Sequence, residues 1–247
     1  MRVGLVGKDL SYPRTLLRRF GLNEEKNPEV VISWGGDGTL LEAERRLPGV
    51  PKLPIRDPAK YKKCVRHRVE KILKEFRSGN LPQSTFTKLE LVVQKRKNFV
   101  TSEVSLSSKS PTQAIRFKVW VNGQSLSQEP LIGDGLLIAT PFGATGYFNS
   151  LTRTVFTQGV GVAFKNVVNP PRFLGFLATT LVLETATRLA IEVVRGPALL
   201  VWDNNPELFE LEKDAMFEVQ TSLQKTTILA LDQFRCRECQ RDSARGN

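Results

Sequence analysis

The stretch VVISWGGDGTLLEAERRL, residues 30–47, changes its character twice. It opens on a short apolar run, Val30 to Trp34, which predicts a buried strand. A glycine-rich turn follows at once. The segment LLEAERRL then has the apolar spacing of an amphipathic helix, which Pro48 and Gly49 bring to an end. The stretch therefore predicts a strand, a tight turn and a helix, which together indicate an α/β domain.

The turn, Gly35-Gly36-Asp37-Gly38-Thr39, has a composition suited to phosphate chemistry. Glycines let backbone N–H groups approach phosphate oxygens without an intervening Cβ, and the following helix adds its positive N-terminal end. An aspartate in such a turn can accept the proton of a hydroxyl that attacks a phosphoryl group, and a threonine can bind phosphate or cap the helix. A purely structural tight turn is the alternative, since Asp-Gly is common in turns of every kind.

A second polar cluster, GDGLLIATPFGATGY, occupies residues 133–147. A Gly-Asp-Gly turn begins an apolar strand, and Thr140-Pro141 ends it in a loop that offers glycines, a hydroxyl and the ring of Tyr147. Such a loop suits a nucleoside. A hairpin loop in which Tyr147 fills the edge of the core would explain the same residues. Two polar turns of this kind are, however, harder to explain by accident than one.

The remaining sequence predicts two parts of different architecture. Strand and helix signals alternate as far as Phe76, whereas strands dominate after the Ser78-Gly79-Asn80 turn and Pro82. We therefore predict a small α/β domain at 1–82, a mostly antiparallel β-rich domain at 83–233 and a basic tail at 234–247. A site that both domains share is expected in the cleft between them.

Individual elements follow from the same patterns. Asn122-Gly123 predicts a hairpin turn, and Pro51, Pro54 and Pro58 are expected to interrupt regular structure before a basic helix begins near residue 59. The predicted elements of the first domain are the strand Val3–Val6 and the helices Tyr12–Phe20 and 59–76. The predicted strands of the second are Leu89–Gln94, Ala114–Val121, Gly135–Thr140, Thr180–Leu183, Leu189–Val194, Leu199–Trp202, Met216–Thr221 and Thr227–Leu231.

Composition narrows the classes of function. The 247-residue chain is 40% apolar and carries a net charge of +11, so its surface should attract phosphate-rich partners such as nucleotides or nucleic acid. Much of that charge is explained as the solvated face of the basic helix, which does not favour nucleic acid. No apolar run approaches the roughly 20 residues that span a bilayer, and no cleaved signal is apparent, so we predict a cytoplasmic protein.

The three cysteines, Cys64, Cys236 and Cys239, do not predict a disulfide framework. Cys236 and Cys239 form a single Cys-x-x-Cys, and Zn²⁺ would need two further ligands from a chain whose one histidine is His67. No resident metal site is therefore predicted.

At the two polar segments the sequence resembles the NAD kinase family. Members of that family carry a GGDGT turn in an N-terminal α/β domain and a motif close to DGLIVSTPTGSTAY in a C-terminal β domain. The two motifs occur here in the same order. Between them, Thr101 to Leu106 is similar to the Asn-Glu motif of the family, and Leu199 to Asn205 is similar to its Val-Asp-Gly segment.

The resemblance implies transfer of a phosphoryl group from ATP, or from polyphosphate, to the 2′-hydroxyl of the adenosine ribose of NAD, which gives NADP. It implies Mg²⁺ bound through ATP, and a homodimer or homotetramer. By position, Asp37 would be the catalytic base. The residues that would handle phosphates are Gly35, Gly36, Gly38 and Thr39. Those that would contact NAD are Asp37, Gly38, Ser102, Glu103, Asp134, Thr145, Gly146, Tyr147 and Ser150, with Asp134 reaching a dinucleotide bound in a neighbouring subunit.

The sequence departs from the family pattern around the substrate. A loop that ends in Gly-Phe-Leu in the family appears here as Leu53-Pro54-Ile55-Arg56-Asp57, and the Gly-Gly-Pro turn expected after Tyr147 is absent. Ser102 replaces an asparagine, which removes an amide that can both donate and accept hydrogen bonds. Ala144 replaces a serine, Gly146 an alanine, and Asp203-Asn204-Asn205 replaces Asp-Gly.

Two alternatives to an NAD kinase remain open at this point. A kinase with another hydroxyl acceptor is one, because lipid kinases that resemble diacylglycerol kinase also carry a GGDGT turn. A non-catalytic nucleotide sensor or a basic nucleic-acid-binding protein on the same fold is the other, and the net charge and the pocket substitutions support it.

Overall fold

The computed structural model describes residues 1–58 and 68–236. The helices are α1 (Ser11–Arg19), α2 (Asp37–Arg46), α3 (Val69–Arg77), α4 (Tyr147–Thr152) and α5 (Leu231–Phe234). The strands are β1 (Arg2–Gly7), β2 (Asn23–Glu24), β3 (Val30–Trp34), β4 (Lys52–Ile55), β5 (Gln83–Val93), β6 (Arg96–Val100), β7 (Glu103–Ser108), β8 (Ile115–Val121), β9 (Gln124–Ser125), β10 (Leu131–Gly133), β11 (Gly135–Ala139), β12 (Val160–Lys165), β13 (Arg172–Phe173), β14 (Phe176–Leu177), β15 (Thr180–Leu183), β16 (Arg188–Arg195), β17 (Ala198–Trp202), β18 (Phe209–Leu211) and β19 (Met216–Leu229).

The chain forms two compact units. The first comprises Met1–Thr85 together with the described residues from Thr226, and the second comprises Phe86–Lys225. The predicted domains, 1–82 and 83–233 with a tail at 234–247, assigned the C-terminal residues differently. Ile228 pairs with Lys52 of β4, and the Ala230 N–H donates to the Pro82 carbonyl at 2.8 Å, so this part of the chain groups with the first unit.

The first unit is built on a parallel sheet. Its strands lie in the order β2-β1-β3-β4, and the register joins Val3 to Val30 and Trp34 to Ile55. Buried side chains from β1, β3 and β4 meet those of α1 and α3 in one apolar core, because the helices turn their apolar stripes toward the sheet. The predicted strand-turn-helix of residues 30–47 is present, as β3 followed by α2.

Strand β4 is absent from the sequence predictions, which took Pro51, Pro54 and Pro58 as interruptions. Pro54 nevertheless lies opposite Ser33 in a paired strand. The carbonyls of Pro51 and Ile55 accept hydrogen bonds from Val31 and Gly35 at 2.8 and 2.9 Å, so odd-numbered residues bond to β3. The missing N–H of Pro54 therefore faces away from β3, and proline costs no hydrogen bond to that neighbour.

A buried ion pair closes the turn between α2 and β4. Lys52 has no exposed side-chain surface and pairs with Glu44, whose side chain is 4% exposed. The Lys52 ammonium also donates to the carbonyls of Leu47 and Val50, both at 2.6 Å. These carbonyls offset the desolvation of the ammonium, because they satisfy donors that burial removes from water.

The second unit is a sandwich of antiparallel sheets. One sheet has the order β15-β12-β11-β7-β17-β18. In the other sheet, β10, β8, β16 and the first part of β19 are neighbours in that order. Inward-facing residues of both, such as Leu106, Ile138, Phe117 and Ile191, form one apolar core. The predicted fold class, a small α/β domain followed by a mostly antiparallel β-rich domain, is confirmed.

Several predicted elements can be compared directly. Asn122-Gly123 is a two-residue hairpin turn with positive φ at both residues, 51° and 83°, as predicted. The strands predicted at 216–221 and 227–231 are one strand, β19, which continues through a polar segment where Leu223 is 99% exposed. The start of the basic helix, Cys64, His67 and Cys239 lie outside the described residues. In the parts that are described, no helix is long and apolar enough to cross a membrane.

Replacing Lys52 by methionine should lower the free energy of unfolding by about 3–5 kcal/mol, because it removes the positive charge that is paired with the buried carboxylate of Glu44. Denaturant unfolding would measure the change. The matched control is Arg46→Gln, which breaks an exposed ion pair with Glu42 on the same helix and should change stability by about 0.5 kcal/mol or less. Equal losses in the two variants would contradict this account.

Candidate functional site

The glycine turn lies at the carboxyl end of β3, where it passes into α2. The Gly35 N–H donates to the Ile55 carbonyl at 2.9 Å, which keeps the turn against the end of β4. Helical hydrogen bonding begins at Gly36, whose carbonyl accepts from the Leu40 N–H at 3.2 Å, and Asp37 is the first residue of the helix. The predicted base therefore stands at the tip of a strand-to-helix turn, with a side chain 45% exposed to solvent.

Position 35 has room only for glycine, because the side chain of Thr39 lies against it. A Cβ built on Gly35 would collide with the Thr39 hydroxyl and would lie 3.0 Å from its Cβ. Any larger residue at position 35 would displace Thr39 from the turn. The turn thus holds Asp37, the predicted base, together with the four residues that were predicted to handle phosphates, Gly35, Gly36, Gly38 and Thr39.

Two arginines that the sequence analysis did not select converge on Asp37. Arg235 donates from Nε and Nη2 to Oδ1 at 3.1 and 2.8 Å, and Arg56 donates from Nη2 to Oδ2 at 3.4 Å. Arg56 follows β4, the strand hidden by its prolines, and Arg235 lies in the segment predicted as a tail. The sequence alone does not show that Trp34 pairs with Ile55. This pairing places Arg56, which follows β4, beside the glycine turn that follows β3.

The second unit gathers another set of predicted residues at the ends of β7 and β11. Ala139 pairs with Glu103, and the next residue, Thr140, is tied to the chain before Glu103. Its hydroxyl donates to the Thr101 carbonyl at 2.6 Å and accepts the Gly143 N–H at 3.1 Å. Ser102 in turn donates its hydroxyl to the Glu103 carboxylate. Thr140 therefore joins the two motifs of the second unit.

Asp203 holds the same segment from the opposite side. Its buried carboxylate accepts the N–H groups of Thr101 and Ser102, both at 2.6 Å, and that of Glu103 at 3.4 Å. Burial raises the pKa of Asp203 to about 7, and the N–H donors oppose that rise. Asp203 had been noted as the start of a substitution in the Val-Asp-Gly segment, and its role in positioning Ser102 and Glu103 was not predicted.

The loop after Thr140 is more regular than the sequence suggested. Gly143–Thr145 form a 3-10 turn and α4 follows from Tyr147. The alternative in which Tyr147 fills the core edge is wrong, because its side chain is 44% exposed; Phe148 is the buried residue, packed against Phe156 with ring centroids 5.0 Å apart. The predicted contacts Thr145, Gly146, Tyr147 and Ser150 are all exposed to solvent.

Asp134 is exposed at the turn before β11, where Asn166 donates to its carboxylate at 3.3 Å. Its neighbour Lys165 is buried and donates to the hydroxyls of Ser105 and Ser107 at 3.0 and 2.5 Å. Burial lowers the pKa of Lys165 to about 8, and the charge of Asp134 acts in the opposite direction. Within residues 1–58 and 68–236, no group of three or more His, Cys, Asp or Glu side chains could hold a metal ion.

Comparison with known proteins agrees with these motifs. No family model matches the chain. A protein of Flavobacterium johnsoniae named NAD kinase is 31% identical over 175 residues, which are 67% of this chain and 58% of that protein. A protein of Brucella suis with the same name is 28% identical over 211 residues, 80% of this chain and 79% of that protein. The chain is homologous to the NAD kinases.

The chain has the fold of the NAD kinases. An NAD kinase from Archaeoglobus fulgidus, solved in complex with ATP, superposes with a TM-score of 0.75 at 18% identity, covering 98% of this chain and 99% of that one. Yeast NADH kinase complexed with NADH gives 0.73 at 16% identity, covering 100% and 88%. The resemblance stated from the two motifs is confirmed.

Replacing Gly143 by alanine should destabilise the second unit by about 1–3 kcal/mol, because the new Cβ would collide with the Ser102 carbonyl. Chemical denaturation checks this. Gly146→Ala is the control, since its Cβ would meet only the Gly143 carbonyl at 3.4 Å, and it restores the residue usual in the family. That variant should be neutral or gain up to about 1 kcal/mol. A loss as large in Gly146→Ala as in Gly143→Ala would refute the steric explanation.

Asp203 should make stability depend on pH. Its pKa is raised on folding from 3.8 to about 7, so its contribution to stability is complete below about pH 4 and is lost as the pH rises toward 7. The melting temperature of the wild type, measured relative to Asp203→Asn, should fall over that interval. Asp232→Asn, at an exposed position, serves as the control and should show no such trend. A difference that stays constant with pH would show that this carboxyl does not titrate as described.

Proposed function

We propose that the protein is an NAD kinase that uses Asp37 as its catalytic base. The observation that carries the proposal is the carboxylate of Asp37, which stands half-exposed at the tip of the glycine turn in a chain homologous to NAD kinases. The aligned region spans 58% of the Flavobacterium relative, and it spans 79% of the Brucella relative.

The proposed reaction is a single phosphoryl transfer. The 2′-oxygen of the adenosine ribose of NAD attacks the terminal phosphorus of ATP, a new O–P bond forms and the bond from that phosphorus to the bridging oxygen breaks, which releases ADP. Asp37 accepts the proton of the 2′-hydroxyl. Polyphosphate can replace ATP in the same scheme, because the bond that breaks is again a phosphoanhydride.

The glycine turn supplies the phosphate-handling part of this reaction. Gly36 and Gly38 have no Cβ, and the Thr39 hydroxyl lies against Gly35. Mg²⁺ is proposed to enter with the donor, since phosphate oxygens are among its preferred ligands, and it would neutralise charge on the transferring group. The single carboxylate of Asp37 at the turn fits a metal held mainly by the nucleotide.

The second unit is proposed to recognise the dinucleotide. Ser102 and Glu103 are fixed by Asp203 and Thr140, and a rigid pair of polar side chains is suited to hydrogen-bond a sugar or base. Thr145, Gly146, Tyr147 and Ser150 are proposed to surround adenine and ribose, and the exposed ring of Tyr147 offers a face for stacking. Asp134 is proposed to act on a dinucleotide of a neighbouring subunit in a cytoplasmic homodimer or homotetramer.

Incubation with ATP, Mg²⁺ and NAD should yield NADP, and Asp37→Asn should reduce the rate about 10²–10⁴-fold because it removes the general base. The control is Glu29→Gln, which alters another arginine-paired carboxylate of the same unit, at 3.2 Å from Arg2, and should keep the wild-type rate. Product identification by mass spectrometry checks the 2′-phosphate. An unchanged rate in Asp37→Asn would remove the base from the mechanism.

An acceptor screen tests the competing functions. NAD, NADH, nucleosides and diacylglycerol are compared under the same conditions, and phosphorylation of the lipid without NADP would replace the proposal by a lipid kinase. Salt-sensitive binding of duplex DNA with no affinity for NAD or ATP would indicate the non-catalytic alternative instead.

A further inference from the structure

The contacts of Asp37 are unusual for a group that must accept a proton. Both carboxylate oxygens already receive N–H groups, Oδ1 from Arg235 at 2.8 and 3.1 Å and Oδ2 from Arg56 at 3.4 Å. The carboxylate is 45% exposed, whereas the side chains of Arg56 and Arg235 are 20% and 14% exposed. Two largely covered guanidinium groups thus direct N–H donors at one half-exposed carboxylate of the turn.

Arg56 is held in place by contacts that do not involve Asp37. Its Nε donates to the Phe234 carbonyl at 2.9 Å, and its guanidinium carbon lies 4.4 Å from the centre of the Phe234 ring. Phe234 is itself buried, with 4% of its surface exposed. Arg56 is therefore pre-positioned, since a carbonyl and an aromatic face fix the plane of its guanidinium.

Arg235 is positioned by the short helix that precedes it. Its N–H donates to the Leu231 carbonyl at 2.8 Å, and the Phe234 N–H donates to the Ala230 carbonyl at 3.0 Å. Ala230 is buried and forms part of the core of the first unit. The backbone of Arg235 is thereby anchored to the core, and its side chain extends to the turn.

Stabilisation of the fold is a weak explanation for this convergence. An ion pair with a half-exposed carboxylate contributes little to stability, because solvent screens the attraction. Planar guanidinium groups match the oxygens of phosphate and form short, charge-assisted hydrogen bonds with them. The arrangement is what a phosphate site requires, with a carboxylate in the position of the phosphate oxygens.

We propose that Arg56 and Arg235 bind the phosphate that the donor brings to the glycine turn, and that Asp37 occupies their N–H groups until this phosphate displaces it. The inference rests on the proposed function for the identity of the donor. Displacement has a catalytic consequence, because it frees the carboxylate oxygens of Asp37 to accept the hydroxyl proton. Donor binding and activation of the base are then one event.

The proposal predicts opposite effects of substitutions on the two sides of the ion pair. The probe is inorganic pyrophosphate, titrated calorimetrically into the full chain without nucleotide. Arg56→Gln and Arg235→Gln should each weaken binding about tenfold or more, since each removes charge-assisted hydrogen bonds. Asp37→Asn should tighten binding several-fold, because it removes the competing negative charge.

Matched variants distinguish a role of the arginines in phosphate binding from a role in stabilising the fold. Arg14→Gln removes an arginine of the same unit that is paired with Glu24 at 2.8 Å, and it should bind pyrophosphate within about twofold of the wild type. Arg56→Lys and Arg235→Lys keep the charge and lose the planar fork. They should bind more weakly than the wild type while melting at the same temperature, and they decide the matter if a glutamine variant does not fold.

Two calorimetric results would overturn the proposal. One is wild-type affinity for pyrophosphate in the folded Arg56 and Arg235 variants, and the other is an unchanged or weaker affinity in Asp37→Asn, which would make the arginines structural ties for the C-terminal segment. The calorimetric measurement does not depend on kinase activity, and the kinase assay adds a separate test. Absence of NADP with the predicted pyrophosphate pattern would refute the NAD kinase and leave the phosphate site, whereas NADP formation at wild-type rates in both arginine variants would refute the site alone.

Discussion

The parallel pairing of β3 with β4 is the constraint on which the first unit depends. Register places Trp34 beside Ile55, so the chain leaves the sheet at Gly35 on one strand and at Arg56 on the next. This one alignment places Arg56 beside the glycine turn from which α2 begins. The glycine turn lies at the carboxyl ends of parallel strands, and open α/β sheets bind their ligands at that edge.

The second unit holds polar residues rigidly at the edge of an apolar sandwich. The buried carboxylate of Asp203 fixes them, because it accepts three successive backbone N–H groups. Thr140 fixes the same segment through the Thr101 carbonyl. Ser102 and Glu103 are thus oriented by backbone contacts, and the serine that stands in place of the usual asparagine keeps this support.

The substitutions that distinguish this chain from its relatives concern two kinds of position. Gly146 stands where a Cβ would fit without a clash, so the change from the usual alanine leaves the packing intact. Arg56 stands where the family has a different loop, and it brings a cation to Asp37. The change at Arg56 bears on chemistry, because it alters the contacts of Asp37, the predicted base.

The sequence by itself determined the strand-turn-helix around Asp37, the β-rich second part and the relation to NAD kinases, because these depend on local periodicity, on glycine and on motif order. It did not reveal β4, since Pro54 is compatible with a strand only when its missing N–H faces away from β3. Nor did it reveal the pairing of Asp37 with Arg56 and Arg235, or the support from Asp203. These contacts join residues far apart in the chain, and only the folded arrangement of strands decides which of them meet.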